Sequence, residues 1–245
     1  MTALERRAAS ALAGIFGVRM LGMFMILPVF ALYAEHLADA TPLLVGTAIG
    51  IYGLTQALLQ IPFGLSSDRL GRKPVIAAGL LLFAIGSVVA AQADSIHGVI
   101  VGRALQGSGA VAAAVMALLA DLTREEHRTK AMAFIGMSIG LSFVAAMALG
   151  PILNQWIGVP GIFWLTAALA IAAAVLLLTV PTPTSVRQHR DATATPSQFG
   201  RVLRDGQLLR LDFGIFVLHM ALTASFVAMP LLLREAGFAP ARHWQ

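Results

Sequence analysis

Seven apolar runs alternate with short polar connections along the chain. They fall at Ala8–Ala34, Pro42–Ser67, Pro74–Ala91, Ile96–Ala120, Ala131–Leu153, Gly158–Val180 and Phe213–Leu233. A helix crosses the hydrocarbon core of a bilayer in about 20 residues, so each run predicts one membrane span. The polar punctuation is densest at Gly64-Leu65-Ser66-Ser67-Asp68-Arg69-Leu70-Gly71-Arg72-Lys73-Pro74, where four charges sit in one short turn between the second and third runs.

Composition turns this pattern into a fold class. Hydrophobic residues make up 58% of the 245 and charged residues 12%, and the mean hydropathy is +0.81. A soluble domain averages about 25% charged residues, so the chain is expected to be an all-α membrane protein, with the lipid bilayer as its solvent. The excess of basic residues does not point to nucleic acid, because these residues are confined to short loops between apolar runs. The sequence has no cysteine, which excludes disulfides, thiolate metal sites and a thiol nucleophile. The first apolar run, after Arg6 and Arg7, is too long for a signal peptide and is expected to be retained.

The basic residues also set the orientation. One set of connections holds Arg6 and Arg7; Arg69, Arg72 and Lys73; Arg124, Arg128 and Lys130; and Arg187, Arg190, Arg201, Arg204 and Arg210. The opposite connections, around 35–41, 92–95 and 154–155, hold none. The bias places the N-terminus inside and, after seven spans, the C-terminus outside. The loops at Gly71 and Thr193 should then be cytoplasmic, and Ala38 and Trp244 external. Arg234 and Arg242 break the pattern after the last run. The segment 182–207, rich in Pro, Thr, Ser and Arg, reads as a cytoplasmic linker between two bundles. After it, Gly214-Ile215-Phe216 repeats Gly14-Ile15-Phe16, and Phe226-Val227-Ala228-Met229-Pro230 echoes Phe24-Met25-Ile26-Leu27-Pro28. This points to an internal repeat of the kind found in transporters. The expected organisation is a bundle over 1–180, a linker over 181–208, and the first helix of a second bundle over 209–245.

Few residues in the spans carry chemistry. Arg19 and Arg103 lie well inside the bilayer, where a charge is costly and faces a bundle interior or a cavity. No acid in the first six spans is deep enough to pair with them, leaving Gln56, Gln60, Gln106 and backbone carbonyls to share the load. The arginines are candidates for a central cavity or proton coupling, against the simpler reading of structural ties between helices. His219 is the deep group whose ordinary pKa lies near neutrality, a candidate proton carrier or a structural hydrogen bonder. Asp68 lies at the inner end of the second span, where a helix N-terminus would attract it. The glycine pairs Gly46/Gly50, Gly98/Gly102 and Gly136/Gly140 suit close helix packing. Gly136-Met137-Ser138-Ile139-Gly140 spells a nucleophile elbow, but a helical span lacks the strand-to-helix turn that motif needs. Lys73 and Lys130, the only lysines, lie in loops, which excludes a retinal Schiff base. Nothing in the spans supplies an intramembrane catalytic set, and no cofactor or metal is called for.

Several of these residues carry a resemblance. Gly64-x3-Asp68-Arg69-x-Gly71-Arg72-Lys73 resembles the signature loop between spans 2 and 3 of the major facilitator superfamily. Arg103-Ala104-Leu105-Gln106-Gly107-Ser108-Gly109 resembles the motif of its proton-coupled members. Gly150-Pro151 resembles the drug-antiporter motif, although Leu153 and Asn154 stand where a glycine pair is usual. Arg19–Met25, Gln60–Gly64 and Asp121–Arg124 are similar to the YajR-type branch of the drug/proton antiporters. The resemblance implies a six-helix N-terminal bundle plus the first helix of a truncated second bundle. It also implies a small-molecule substrate, protons as coupling ion, alternating access, efflux across a bacterial inner membrane, and a missing C-terminal half as partner. It implies further a gating latch of Asp68, Arg72 and Asp121, with Gly64 and Gly71 allowing close approach and the turn. In this latch the acid at Asp68 meets the start of span eleven, Arg72 pairs with Asp121, and the contacts break as the inner side opens. The alternative is a non-transporting half-transporter or a ligand-sensing membrane protein. On the first reading, the 245 residues alone should not transport.

Overall fold

A computed structural model describes residues 1–182, 199–202 and 204–237. Thr193, Trp244, Arg187, Arg190 and Arg242, used above for topology, lie outside the described residues. The helices are α1 (Ala3–Met25), α2 (Leu27–Ala34), α3 (Pro42–Leu70), α4 (Arg72–Ala91), α5 (Ile96–Ser108), α6 (Ala112–Asp121), α7 (Arg128–Leu177), α8 (Phe199–Val202) and α9 (Gly206–Glu235). Among the described residues the only extended pairing is an isolated bridge between Ala38 and Ser95. It joins two outer loops, as the charge pattern requires.

Two expected spans are each split in two. Pro28, in the first turn of α2, has no N–H to continue α1, and the chain breaks at Ile26. The fourth span breaks between α5 and α6 around Gly109, whose φ of −74° and ψ of 55° leave the helical region. Two other expected spans are instead fused into α7, whose 50 residues contain Gly158 at φ 66°, ψ 176°. A straight helix of that length would run about 75 Å. The chain turns back instead. Gly17 lies against Ser142, and Gly150 against Met25 and Pro28, so the first arm of α7 runs parallel to α1. Gly22 then meets Thr166 and Gly14 meets Leu176, so the second arm returns antiparallel. Among the described residues, six helical stretches are long and apolar enough to cross a membrane, and this hairpin makes the crossings seven, as the hydropathy predicts.

Two large apolar clusters and a small third one, of Tyr52, Phe83, Ala84 and Ala170, fill the bundle. Leu12, Ile15, Phe16, Ile76, Leu80 and Leu118 anchor the inner one. Met25, Phe30, Ile49, Ile96 and Phe163 anchor the outer one. In lipid the gain lies in close packing rather than in escape from water, so small residues mark the tight crossings. The glycine pairs correct the sequence reading here. A Cβ on Gly102 would lie 2.6 Å from Ala90 N and 2.7 Å from Gly86 O, so α4 and α5 touch backbone to backbone. Gly46, Gly50, Gly136 and Gly140 have nothing within 4 Å of a Cβ, so among the described residues these two pairs are not packing positions.

The inner rim is tied by a pair 119 residues apart. Thr2 caps α1, accepting from Glu5 N–H at 3.2 Å and donating its own N–H to Glu5 Oε2 at 2.6 Å. Arg124, in the loop after α6, donates Nε to Glu5 Oε1 at 2.9 Å and its N–H at 3.1 Å. These hydrogen bonds, Arg124's side chain first, hold the Glu5 carboxyl at about 2 against an ordinary 4.5. Glu5 precedes the apolar run, at the wet end of the helix. Its lowered pKa means that the contribution is present above pH 4.5 and is lost as pH falls towards 2. Glu5→Gln should therefore lower the thermal midpoint at pH 7 and flatten the acid limb of a stability profile. An unchanged midpoint would mark the pair as ornamental.

α9 stands apart from this packing. It lies on α2 and touches α3, and its residues are exposed except near Phe226, Val227 and Pro230. Phe226 stacks edge-on against Phe143 at 6.2 Å, and Phe143 against Phe24 at 5.2 Å. Beyond them Arg234 meets Glu35 in a two-pronged ion pair, Nη1 to Oε2 at 2.5 Å and Nη2 to Oε1 at 3.1 Å. α9 thus converges on the bundle at its outer end.

Candidate functional site: an inner charge cluster and a buried cationic centre

The signature turn closes on Arg72. Its Nη1 donates to Asp68 and, at 2.8 Å, to Ser67 Oγ, while Nε donates to Asp121 Oδ2 at 3.2 Å. Asp68 and Arg72 are one helical turn apart across the end of α3, whereas Asp121 arrives from the end of α6. The turn itself requires Gly71, at φ 95°, ψ 150°, a backbone state that is essentially glycine's alone. Lys73, expected only to mark topology, donates Nζ to Val180 O at 2.7 Å and so fastens the end of the α7 hairpin. Gly64 differs from expectation: a Cβ there would meet Ala113 Cβ at 3.5 Å, an ordinary contact, so close approach does not require glycine. The expectation that Arg72 and Asp121 separate as the inner side opens is also at odds with their placement. α3, α4 and α6 belong to one packed bundle, and rigid rocking of that bundle moves all three residues together.

Arg19 and Arg103 form the deeper centre, both close to Tyr52. Arg103 Cζ lies 4.8 Å from the Tyr52 ring centroid, and Arg19 Cζ lies 6.0 Å from it and 5.2 Å from that of Phe83. These are cation–π distances, a means of holding a cation where no carboxylate is available. Arg19 Nη2 also donates to Gln56 Oε1 at 3.1 Å and to Gly109 O at 3.0 Å, a carbonyl at the α5–α6 break that also accepts from Val111 N–H at 2.9 Å. Arg19 is 1% exposed, and its Nε and Nη1 have no partner. Arg103 Nε donates to Ala48 O at 3.3 Å and Nη1 to Gln106 Oε1 at 2.9 Å; Gln106 is steadied in turn by its 2.7 Å bond to Ser87 Oγ. Gln60 takes no part, and its buried Oε1 is unpartnered. Nothing in the sequence announced Tyr52: one aromatic ring in an apolar run carries no signature.

Between this centre and α9 lies a cavity of about 790 Å³. Arg103, Tyr52 and His219 line it, with Gly50, Phe143 and Met220 among the apolar remainder. Arg19 is not in its lining, so the two arginines expected at a cavity divide into one at the wall and one packed behind it. His219 faces the cavity from α9 and bonds through Nδ1 to Ile215 O at 2.9 Å.

Apolar helices folded around a buried cationic centre, with an open cavity beside it and a charged turn at one rim, define an integral membrane protein of the all-α class. The chain belongs to the Major Facilitator Superfamily, whose family model matches residues 12–242. It is 54% identical over 246 residues to the inner membrane transport protein YajR of Escherichia coli (strain K12), covering 100% of this chain and 54% of that protein. It is 38% identical over 248 residues to an uncharacterized transporter of Buchnera aphidicola subsp. Acyrthosiphon pisum, covering 100% and 63%. The chain thus spans about half the length of the curated relatives it matches, which are named as transporters rather than enzymes. Among solved structures, a bacterial homolog of the human lysosomal transporter Spinster, inward-facing and unoccupied, aligns with a TM-score of 0.83 at 16% identity. The alignment covers 100% of this chain and 58% of that one, and it speaks for the fold.

Proposed function

We propose that residues 1–180 form one bundle of a secondary transporter and 209–245 open a second, joined by a linker over 181–208. The whole protein moves a small molecule across the bacterial inner membrane by alternating access, with proton-coupled efflux as the mode. The observation that carries this reading is the way α9 meets the bundle. Its outer end is fixed by the Arg234–Glu35 pair and the Phe24–Phe143–Phe226 stack, while its inner half, including Leu211 and Phe213, is exposed. Contact at one end and separation at the other is what an inward-facing state of two rocking bundles requires. The outer pair would then hold the external side shut. At the inner rim, Arg72 and Asp121 fix the turn that presents Asp68 for contact with the second bundle, so these residues position the latch rather than part with each cycle. His219, on the cavity wall, is the side chain assigned to proton coupling in this reading.

Charge reversal tests the outer contact. Glu35→Arg or Arg234→Glu alone should raise the labelling, by an external maleimide, of a cysteine placed at Gly50 in the cavity. The two together should return labelling to its starting level. The sequence contains no native cysteine to confuse the readout. Equal labelling in all four proteins would remove the outer contact from the mechanism.

A further inference from the structure

The cavity wall carries charge of one sign only. Of its lining residues, Arg103 and His219 are the ionisable groups that can bear positive charge, and no Asp or Glu is among them. Tyr52, the other titratable group, presents its ring to Arg103, and most of the remainder is Met, Phe, Leu, Ile and Gly. Arg103 is 2% exposed, and two of its guanidinium nitrogens are committed, Nε to Ala48 O and Nη1 to Gln106 Oε1. No acceptor among the described residues meets Nη2. A buried guanidinium with an unclaimed donor, at the wall of an apolar cavity, lacks the anion that would offset its desolvation. Behind it Arg19 adds a second positive charge without a carboxylate partner. The fixed charge facing the cavity is therefore positive.

We infer that the cavity takes an amphipathic organic anion: an apolar, ring-sized body against the Phe143 and Met220 surfaces, and one carboxylate- or sulfonate-type head on Arg103 Nη2. This deepens the transporter reading and rests on it. The same charge repels lipophilic cations, because a cation here would add a third positive charge with no acid to meet it. Guanidinium suits the role better than an ammonium would, since its planar fork can keep Ala48 and Gln106 while one further N–H meets the anion.

A matched pair of probes tests the inference. 8-Anilinonaphthalene-1-sulfonate and N-phenyl-1-naphthylamine differ by one sulfonate, and both brighten in apolar sites. With the full chain in lipid nanodiscs, and empty nanodiscs subtracted, the sulfonate should bind about tenfold more tightly. That ratio corresponds to about 1.4 kcal/mol. Arg103→Gln should abolish the preference while leaving phenylnaphthylamine binding, which also reports that the cavity has survived the substitution. Gly50→Trp, at a position with open space around it, should remove both signals. Tetraphenylphosphonium should not compete. Equal affinities, a preference that persists in Arg103→Gln, or displacement by tetraphenylphosphonium would overturn the anion assignment while leaving the cavity as a binding site. Failure of both probes to bind, or binding unaffected by Gly50→Trp, would overturn the cavity reading itself.

Discussion

Replacing Arg72 by leucine will destabilise the bundle more than any other single charge change at the inner rim. Asp121, 2% exposed, and Asp68, 22% exposed, both meet this one guanidinium. Without it, one buried and one partly buried carboxylate remain close together at the inner rim. Removing one partner of a buried pair costs about 3–5 kcal/mol, because the other charge is left uncompensated. Asp121→Asn will cost less, since Asp68 and Ser67 still hold the guanidinium and an amide can accept from Nε. Thermal unfolding in detergent should therefore rank wild type above Asp121→Asn above Arg72→Leu. If the reverse order were found, or no effect at all, the cluster would be ordinary surface charge.

Gly102→Leu is expected to disrupt the fold outright, whereas Gly136→Leu should be close to neutral. At Gly102 the new side chain meets the backbone of Ala90 and Gly86, which cannot turn aside as a side-chain tip would. Overpacking costs about 1–3 kcal/mol where side chains can adjust, and more where a backbone stands in the way. Parting α4 from α5 would also displace the next residue, Arg103, and break the Gln106–Ser87 bond that steadies it. The two proteins differ only in where a glycine becomes a leucine. Yield of monodisperse protein should separate them, and similar behaviour would refute the crossing as the tight point of the bundle.

The contrast between these glycines shows what the amino-acid order could reveal. Spacing of four residues between glycines is equally good at Gly98/Gly102 and at Gly136/Gly140, yet only Gly102 among them presses on another helix's backbone. Which face of a helix meets a neighbour depends on the rotation of the whole bundle, and that is not a local property. Orientation was legible because lipid imposes it: charge excluded from one set of loops marks a side regardless of tertiary detail. The inner cluster was legible through the resemblance of its turn to a family signature, which implied that Arg72 pairs with Asp121. The remaining ties join partners far apart in the chain. Glu5 meets Arg124 across 119 residues and Glu35 meets Arg234 across 199. In the sequence, Arg234 merely broke the charge bias; in the fold, it closes the outer end. Arg19 and Arg103 stood out as costly cations in lipid, but their shared Tyr52 did not, because a ring reveals its use only through what stacks on it.

The central claim is that α9 and the bundle pivot, closing at one end while opening at the other. Two pairs of spin labels measure this directly in the cysteine-free chain. Glu35→Cys with Arg234→Cys reports the outer end, and Arg69→Cys with Gln207→Cys the inner end. Distances taken by pulsed electron resonance in nanodiscs, across conditions that shift the populations, should show two states at each end in opposition: short outside with long inside, then the reverse. Distances that stay single-valued at both ends, or that lengthen together, would contradict the account.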